Sequence, residues 1–207
     1  MIIFHASYDL QIFGFVDWDF SQGFWFGFPR LIAFTFLFCV GASTNYTHCP
    51  NIRWDFLGRR SFKLGLAAFI ISLSTFFLFP TQWIFFGTLH CILVGSILAA
   101  ILVNHRKISW VLLGLILLGQ YVLDFDIKWV SSIVKKPSMD FIPIYPWFWA
   151  ILLGMLTGPY LAKVKRLNSL PSVTFLNTLG RNSLIIYLLH QPILYLAIWG
   201  LKALQNP

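Results

Sequence analysis

The chain has 207 residues, 58% of them hydrophobic and only 11% charged, with a formal net charge of +8 and a mean hydropathy of +0.75. A soluble domain carries roughly a quarter charged residues, so this composition excludes a soluble globular protein and puts the chain in a bilayer. The positive charge is no nucleic-acid footprint, because the basic residues lie in short loops between apolar segments, where membrane topology requires them.

A bilayer span takes about 20 mostly apolar residues. Seven candidates follow one another: Met1 to about Phe15, Phe24 to Ala42, Leu64 to Phe79, Ile84 to Val103, Trp110 to Phe125, Trp147 to Ala162, and Leu184 to Leu201. The expected fold is therefore all-α, a polytopic membrane helix bundle of about seven transmembrane helices forming a single domain over residues 1–207. The first span is short and begins at Met1, already deep in apolar sequence. It lacks the basic start and small-residue cleavage site of a signal peptide, so either it is truncated or the reading frame begins upstream.

Charge in the loops alternates. Arg53, Arg59, Arg60 and Lys63 follow the second span, Arg106 and Lys107 the fourth, and Lys163, Lys165, Arg166 and Arg181 the sixth. The other side holds Lys128, Lys135, Lys136 and Lys202 with Asp17, Asp19, Asp124, Asp126 and Asp140. The first set is expected to be cytoplasmic, with the N-terminus inside and the C-terminus outside. Trp18, Trp83, Trp129 and Trp147 then fall near outer ends as an aromatic belt. The connection from Asp126 to Pro146 is long enough for a binding loop, although a solvated loop explains it equally well.

Five ionisable side chains lie inside spans: His5, Asp9, Arg30, His90 and His190. Such groups are expensive in hydrocarbon and usually face a protein interior or a wet cavity. At about 1.5 Å per helical residue, all five fall on the order of 9 to 17 Å below the outer surface. His5 and Asp9 are spaced i, i+4 and share a helix face; a carboxylate beside an imidazole orients the ring and favours its charged form, as a general base needs. Arg30 is placed to neutralise Asp9 or grip a substrate oxygen. Pro192, after His190 and Gln191, predicts a distorted helix with free carbonyls near the ring. A lone membrane histidine is more often an interhelical hydrogen bonder, and that bland reading applies to His90 and His190 taken singly.

Topology alone explains most of the cytoplasmic cations. Arg181 stands apart, since Gly180, Asn182 and Ser183 form a turn and N-cap at the inner mouth of the last span. The three cysteines, Cys39, Cys49 and Cys91, form no disulfide framework and no metal pair, and no metal is expected. The Asn45–Thr47 sequon falls on the inner side and is discarded. Gly41 with Ala42 and Ser43, Gly87, Gly95 with Ser96, Gly114, Gly119, Gly154 and Gly158 permit close helix packing, and the same faces would permit a homodimer.

Several segments resemble a known family. They are Met1–Leu10, the Phe38–Ser43 end of the second span, Phe86–His90, Tyr145–Trp147 with Leu153 and Gly154, and Leu179–Pro192. Together they are similar to the catalytic domain of heparan-alpha-glucosaminide N-acetyltransferase and its bacterial relatives, a branch of the acyltransferase-3-like membrane enzymes. The resemblance implies transfer of an acetyl group from cytoplasmic acetyl-CoA to a sugar hydroxyl or amine across a bacterial cytoplasmic membrane. His5 matches the first-span histidine taken as catalytic in bacterial members, His90 the mid-chain block, and Arg181, His190 and Gln191 the last block. Relatives carry an acidic residue and Arg-Gly just before the present Met1. The luminal histidine of the animal enzyme has no counterpart; Phe15 to Trp18 stands there instead.

The expected activity is thus a membrane acyltransferase in which His5, oriented by Asp9, takes the acceptor proton and Arg30 or His90 stabilises the oxyanion, with His190 in the same layer. The nucleotide would be held near Arg59, Arg60, Lys163 and Arg181, with Asn182 and Gln191 at the same mouth. Two rival readings use the same residues: a proton-coupled transporter, and an inactive or structural membrane protein truncated at its start.

Overall fold

The structure, a computed structural model, describes residues 1–123, 138–163 and 174–205. Asp124, Asp126, Lys128, Trp129, Lys135, Lys136, Lys165 and Arg166, and most of the long outer connection, lie outside the described residues. Those that are described form helices and no strand: α1 (Ile2–Ile12), α2 (Gly23–His48), α3 (Trp54–Leu78), α4 (Thr88–Leu102), α5 (Arg106–Tyr121), α6 (Ile144–Lys163), α7 (Thr174–Arg181) and α8 (Ser183–Gln205).

The all-helical expectation holds. Four helices are long and apolar enough to cross a bilayer, within Gly23–His48, Trp54–Leu78, Ile144–Leu161 and Ser183–Gln205, and α4 is a shorter apolar helix. This is compatible with about seven spans. Large apolar side chains stand outward along them, including Phe62 at 73%, Phe69 at 60%, Ile193 at 60% and Leu196 at 63% exposure. Water would not tolerate that much contiguous apolar surface, and lipid does. The chain is an integral membrane protein.

Helix ends differ from the hydropathy boundaries for identifiable reasons. α3 begins at Trp54, so Arg59, Arg60 and Lys63, expected in a loop, ride on its first turns. Long cationic side chains extend a helix into the interface by carrying their charge to water. α4 starts at Thr88 and not at Ile84, because the Asp140 carboxylate caps it: Thr88 N–H donates to Oδ2 at 2.7 Å and the Thr88 hydroxyl to Oδ1 at 3.1 Å. α7 was not visible as a span because it has only eight residues.

By contacts the chain falls into two compact units, Phe34–Ser169 and Met1–Ala33 with Leu170–Pro207. In the first, α2 and α6 touch backbone to backbone. A Cβ at Gly41 would lie 1.9 Å from the Ile151 carbonyl oxygen, and one at Gly154 only 2.0 Å from that of Phe38. Gly158 faces Ala42 in the same way. Lipid is as apolar as leucine, so helices associate there through close packing and polar contacts instead of through apolar burial. Small residues along this crossing allow that approach, and Leu37, Ala150, Ile151 and Leu152 close around it with no exposure.

The second unit is built on α1, the first part of α2, and α8. Aromatic rings tie the first two together: Phe4 meets Phe20 and Phe28 at 5.8 and 6.4 Å, and Trp18 stacks on Trp25 at 5.0 Å. In the loop between them, Ser21 N–H donates to Asp19 Oδ1 at 2.8 Å. This bond and that of the Ser21 hydroxyl hold the Asp19 carboxyl below its ordinary pKa.

Candidate functional site

Three ring and polar contacts join α1 to α8. The His5 and His190 rings lie 4.8 Å apart, inclined at 61°. Gln191 Nε2 donates to both oxygens of Asp9, at 3.0 and 3.3 Å. Phe13, the C-cap residue of α1, meets Tyr195 at 5.1 Å. Partners rise together along both helices, so the two run parallel.

Asp9 is 1% exposed, the most deeply buried ionisable side chain of this unit. The i, i+4 spacing does put His5 and Asp9 on one face of α1, but the carboxylate turns across the seam to an amide. A carboxylate accepts only, and the Gln191 amide offers it an N–H donor across the seam. This orientation leaves Gln191 Oε1 facing away from Asp9.

His190 Nδ1 sits 2.7 Å from the Tyr187 carbonyl oxygen. A carbonyl accepts only, so Nδ1 carries the hydrogen and, in the neutral ring, Nε2 keeps its lone pair. Tyr187 lies one turn back from the ring; the carbonyl that Pro192 itself leaves without a helical donor is that of Leu188, four residues before it. His190 Nε2 and Gln191 Oε1 are both buried and have no hydrogen-bond partner among the described residues. Leaving each such atom unpaired costs about 1–3 kcal/mol. Two buried acceptors on consecutive residues, beside a second imidazole, thus lack a hydrogen-bond donor among the described residues.

The remaining residues singled out in the sequence lie as follows. Arg30 is exposed, its guanidinium 3.6 Å above the Phe26 ring and bonded to the Phe26 carbonyl; Asp9 is not among its partners. His90 belongs to the Phe34–Ser169 unit, where both its nitrogens are used. Gly87 N–H approaches Nδ1 at 3.2 Å, and Nε2 lies 3.4 Å from Ser72 Oγ. The Ser72 hydroxyl gives its one hydrogen to the Ile84 carbonyl at 2.7 Å, so it can only accept from His90, whose tautomer is therefore Nε2–H.

Arg59 is exposed and Arg60 half-buried on α3, while Arg181 ends α7 in the exposed class. The Asn182 amide donates to the Thr178 carbonyl at 2.9 Å, closing α7 before α8 begins. Lys163 ends α6, and its side chain lies outside the described residues. His48 is 2% exposed and its Nδ1 accepts from Arg53 N–H at 3.2 Å. Among the described residues no group of three or more histidine, cysteine or acidic side chains is gathered as a metal would need.

Sequence reading missed the use made of Gln191 and of Asp140. The Gln191 amide, set in an apolar span, was the available clue to a polar partner for Asp9. Nothing in the sequence links Asp140 to Thr88, which is 52 residues away.

A family model described as heparan-alpha-glucosaminide N-acetyltransferase, catalytic, matches residues 1–192. No curated protein and no solved structure matches the chain.

Proposed function

The chain belongs to the heparan-alpha-glucosaminide N-acetyltransferase catalytic-domain family, and from that membership and the α1–α8 seam we propose that it moves an acetyl group from acetyl-CoA to a sugar amine or hydroxyl. The family is one of membrane acetyltransferases, and the apolar helices make this chain a membrane protein. The observation that carries the reading is the His5–His190 pair with a buried His190 Nε2 that has no partner among the described residues.

Acetyl-CoA supplies the acyl group as a thioester, already activated toward attack. The chain's own residues then manage the proton. His190 Nε2 takes it from the acceptor nitrogen or oxygen as that atom attacks the thioester carbonyl carbon, while the carbon–sulfur bond breaks and CoA leaves as the thiolate. The Tyr187 carbonyl keeps the ring in the tautomer that leaves this lone pair free. Asp9, one helical turn from His5 on the same face, opposes the positive charge that His190 acquires. His5 is the second imidazole at the centre, and it donates to the oxygen on which negative charge develops. The reading thus keeps His5, Asp9 and His190 at the chemistry. The local engagement of Arg30 with Phe26 and of His90 with Gly87 and Ser72 favours structural roles for those two.

On the same reading, residues 1–207 work as one domain in a bacterial cytoplasmic membrane, with the N-terminus inside. The candidates to hold the nucleotide on the cytoplasmic side are Arg59, Arg60 and Lys163 in one unit and Arg181 with Asn182 in the other, each taken by itself. Any homodimer would use small residues left outside the α2–α6 crossing, such as Gly114 on α5, where a Cβ meets nothing within 4 Å.

The test is to feed membranes containing the chain with acetyl-labelled CoA and identify the labelled glycan. Label should appear with the wild-type chain and be lost in His5→Ala and His190→Ala at equal abundance. Undiminished labelling by both variants would sink the reading.

A further inference from the structure

Gln191 is tied down at one end of its amide and open at the other. Its Nε2 is committed to the two Asp9 oxygens, while its Oε1 is buried without a partner among the described residues. The next residue back, His190, has the same asymmetry: Nδ1 is committed to Tyr187 and Nε2 is buried and open. Both open atoms are acceptors, one by the chemistry of the amide and the other by the tautomer that the Tyr187 carbonyl imposes. A free amide in an apolar surrounding would rotate to find a donor for its oxygen. This one cannot do so without turning Oε1 toward the Asp9 carboxylate, where two acceptors repel.

We propose that Gln191 is the residue that positions the acceptor for attack: Oε1 receives a second hydrogen of the acceptor while His190 Nε2 receives the one that is to be removed. The inference rests on the acetyl-transfer reading of this seam and adds a residue and a role to it. Asp9 is then a positioning residue, acting through Gln191 by fixing which end of the amide faces the site. The ligand class follows from the donors required. It is a molecule with at least two hydrogens on nitrogen or oxygen, either on one atom or on neighbours, as an amino group or a pair of adjacent hydroxyls provides. A molecule with a single donor leaves one buried acceptor unpaired, which the site penalises.

The role of Asp9 in fixing the amide is read in the KM for the acceptor, whereas the charge that opposes His190 acts on turnover. With Asn in its place, the side chain offers an N–H donor as well as an acceptor. The Gln191 amide is then free to turn over, accept from Asn, and present Nε2 to the site in place of Oε1. The seam would change from presenting two acceptors to presenting one acceptor and one donor, with almost no change in side-chain volume.

The experiment uses the full chain, purified in detergent, with acetyl-CoA as donor and glucosamine as the acceptor probe. Gln191→Met, which keeps the length and loses the amide, and Asp9→Asn are compared with the wild type. Each should raise the KM for glucosamine about tenfold, the loss of one hydrogen bond, and leave the KM for acetyl-CoA within twofold. Equal KM values in wild type and variants would overturn the proposal. So would a parallel rise in both KM values, because a merely structural loss disturbs donor and acceptor alike. If the wild type transfers nothing to glucosamine, the acetyl-transfer reading fails for that acceptor and a second measurement decides. Glucosamine that raises the melting temperature of the wild type and not of Gln191→Met upholds the contact; equal shifts, or none in either protein, overturn it.

Discussion

The two units treat buried polar groups in opposite ways. Among the described residues of the Phe34–Ser169 unit they are paired off. His90 uses both ring nitrogens, Asp140 caps α4, and the Thr44 and Ser96 hydroxyls, 2% and 3% exposed, return to the Val40 and Ile92 carbonyls. Along α1 and α8 the pairing stops halfway, with one end of Gln191 and one nitrogen of His190 left open. Burial of polar groups in a membrane is therefore not enough to mark a reaction centre. Closed hydrogen-bond sets build structure, and open ones await a ligand.

This contrast can be broken most sharply by His190→Ala. Removing a general base costs about a hundredfold or more in rate, so acetyl transfer per folded molecule should fall by at least that much with membrane abundance unchanged. Retained turnover would move the base elsewhere. On the packing side, Gly154→Val drives a side chain into the Phe38 carbonyl oxygen. Overpacking of this kind costs about 1–3 kcal/mol or more; the melting temperature in detergent should drop by several degrees or the chain should fail to accumulate.

Smaller effects are expected where a closed set loses one member. Asp140→Asn removes the charge from a helix cap, a loss of about 1 kcal/mol, seen as a lower melting temperature with acetyl transfer per folded molecule retained. The smallest effect belongs to Arg30→Gln. Its guanidinium rests on a ring of its own helix, so turnover should stay within twofold of wild type. A large loss there would restore Arg30 to the reaction centre.

Much of the architecture was legible because hydropathy and charge alternation are strong, local signals. The apolar runs became helices, and Gly41, Gly154 and Gly158 became a close crossing, as small residues in spans suggest. Helix ends were less legible: α4 starts where Asp140 reaches it, and a partner 52 residues away leaves no local trace. The site was half visible. Rarity of charge in apolar sequence singled out His5, Asp9 and His190, and these do meet at one seam. The spacing of His5 and Asp9 placed them on one face, yet it could not tell that the carboxylate would turn across to Gln191. Arg30 shows the same limit, since depth in a span says nothing about which way a long side chain folds back.

The tautomers of His190 and His90 test the open-versus-closed distinction most directly. With ¹⁵N-labelled histidine in the purified protein, and single variants to assign the signals, the hydrogen should sit on Nδ1 of His190 and on Nε2 of His90. A His190 ring protonated at Nε2 and bare at Nδ1 would leave no lone pair aimed at an acceptor, and His190 could not be the base.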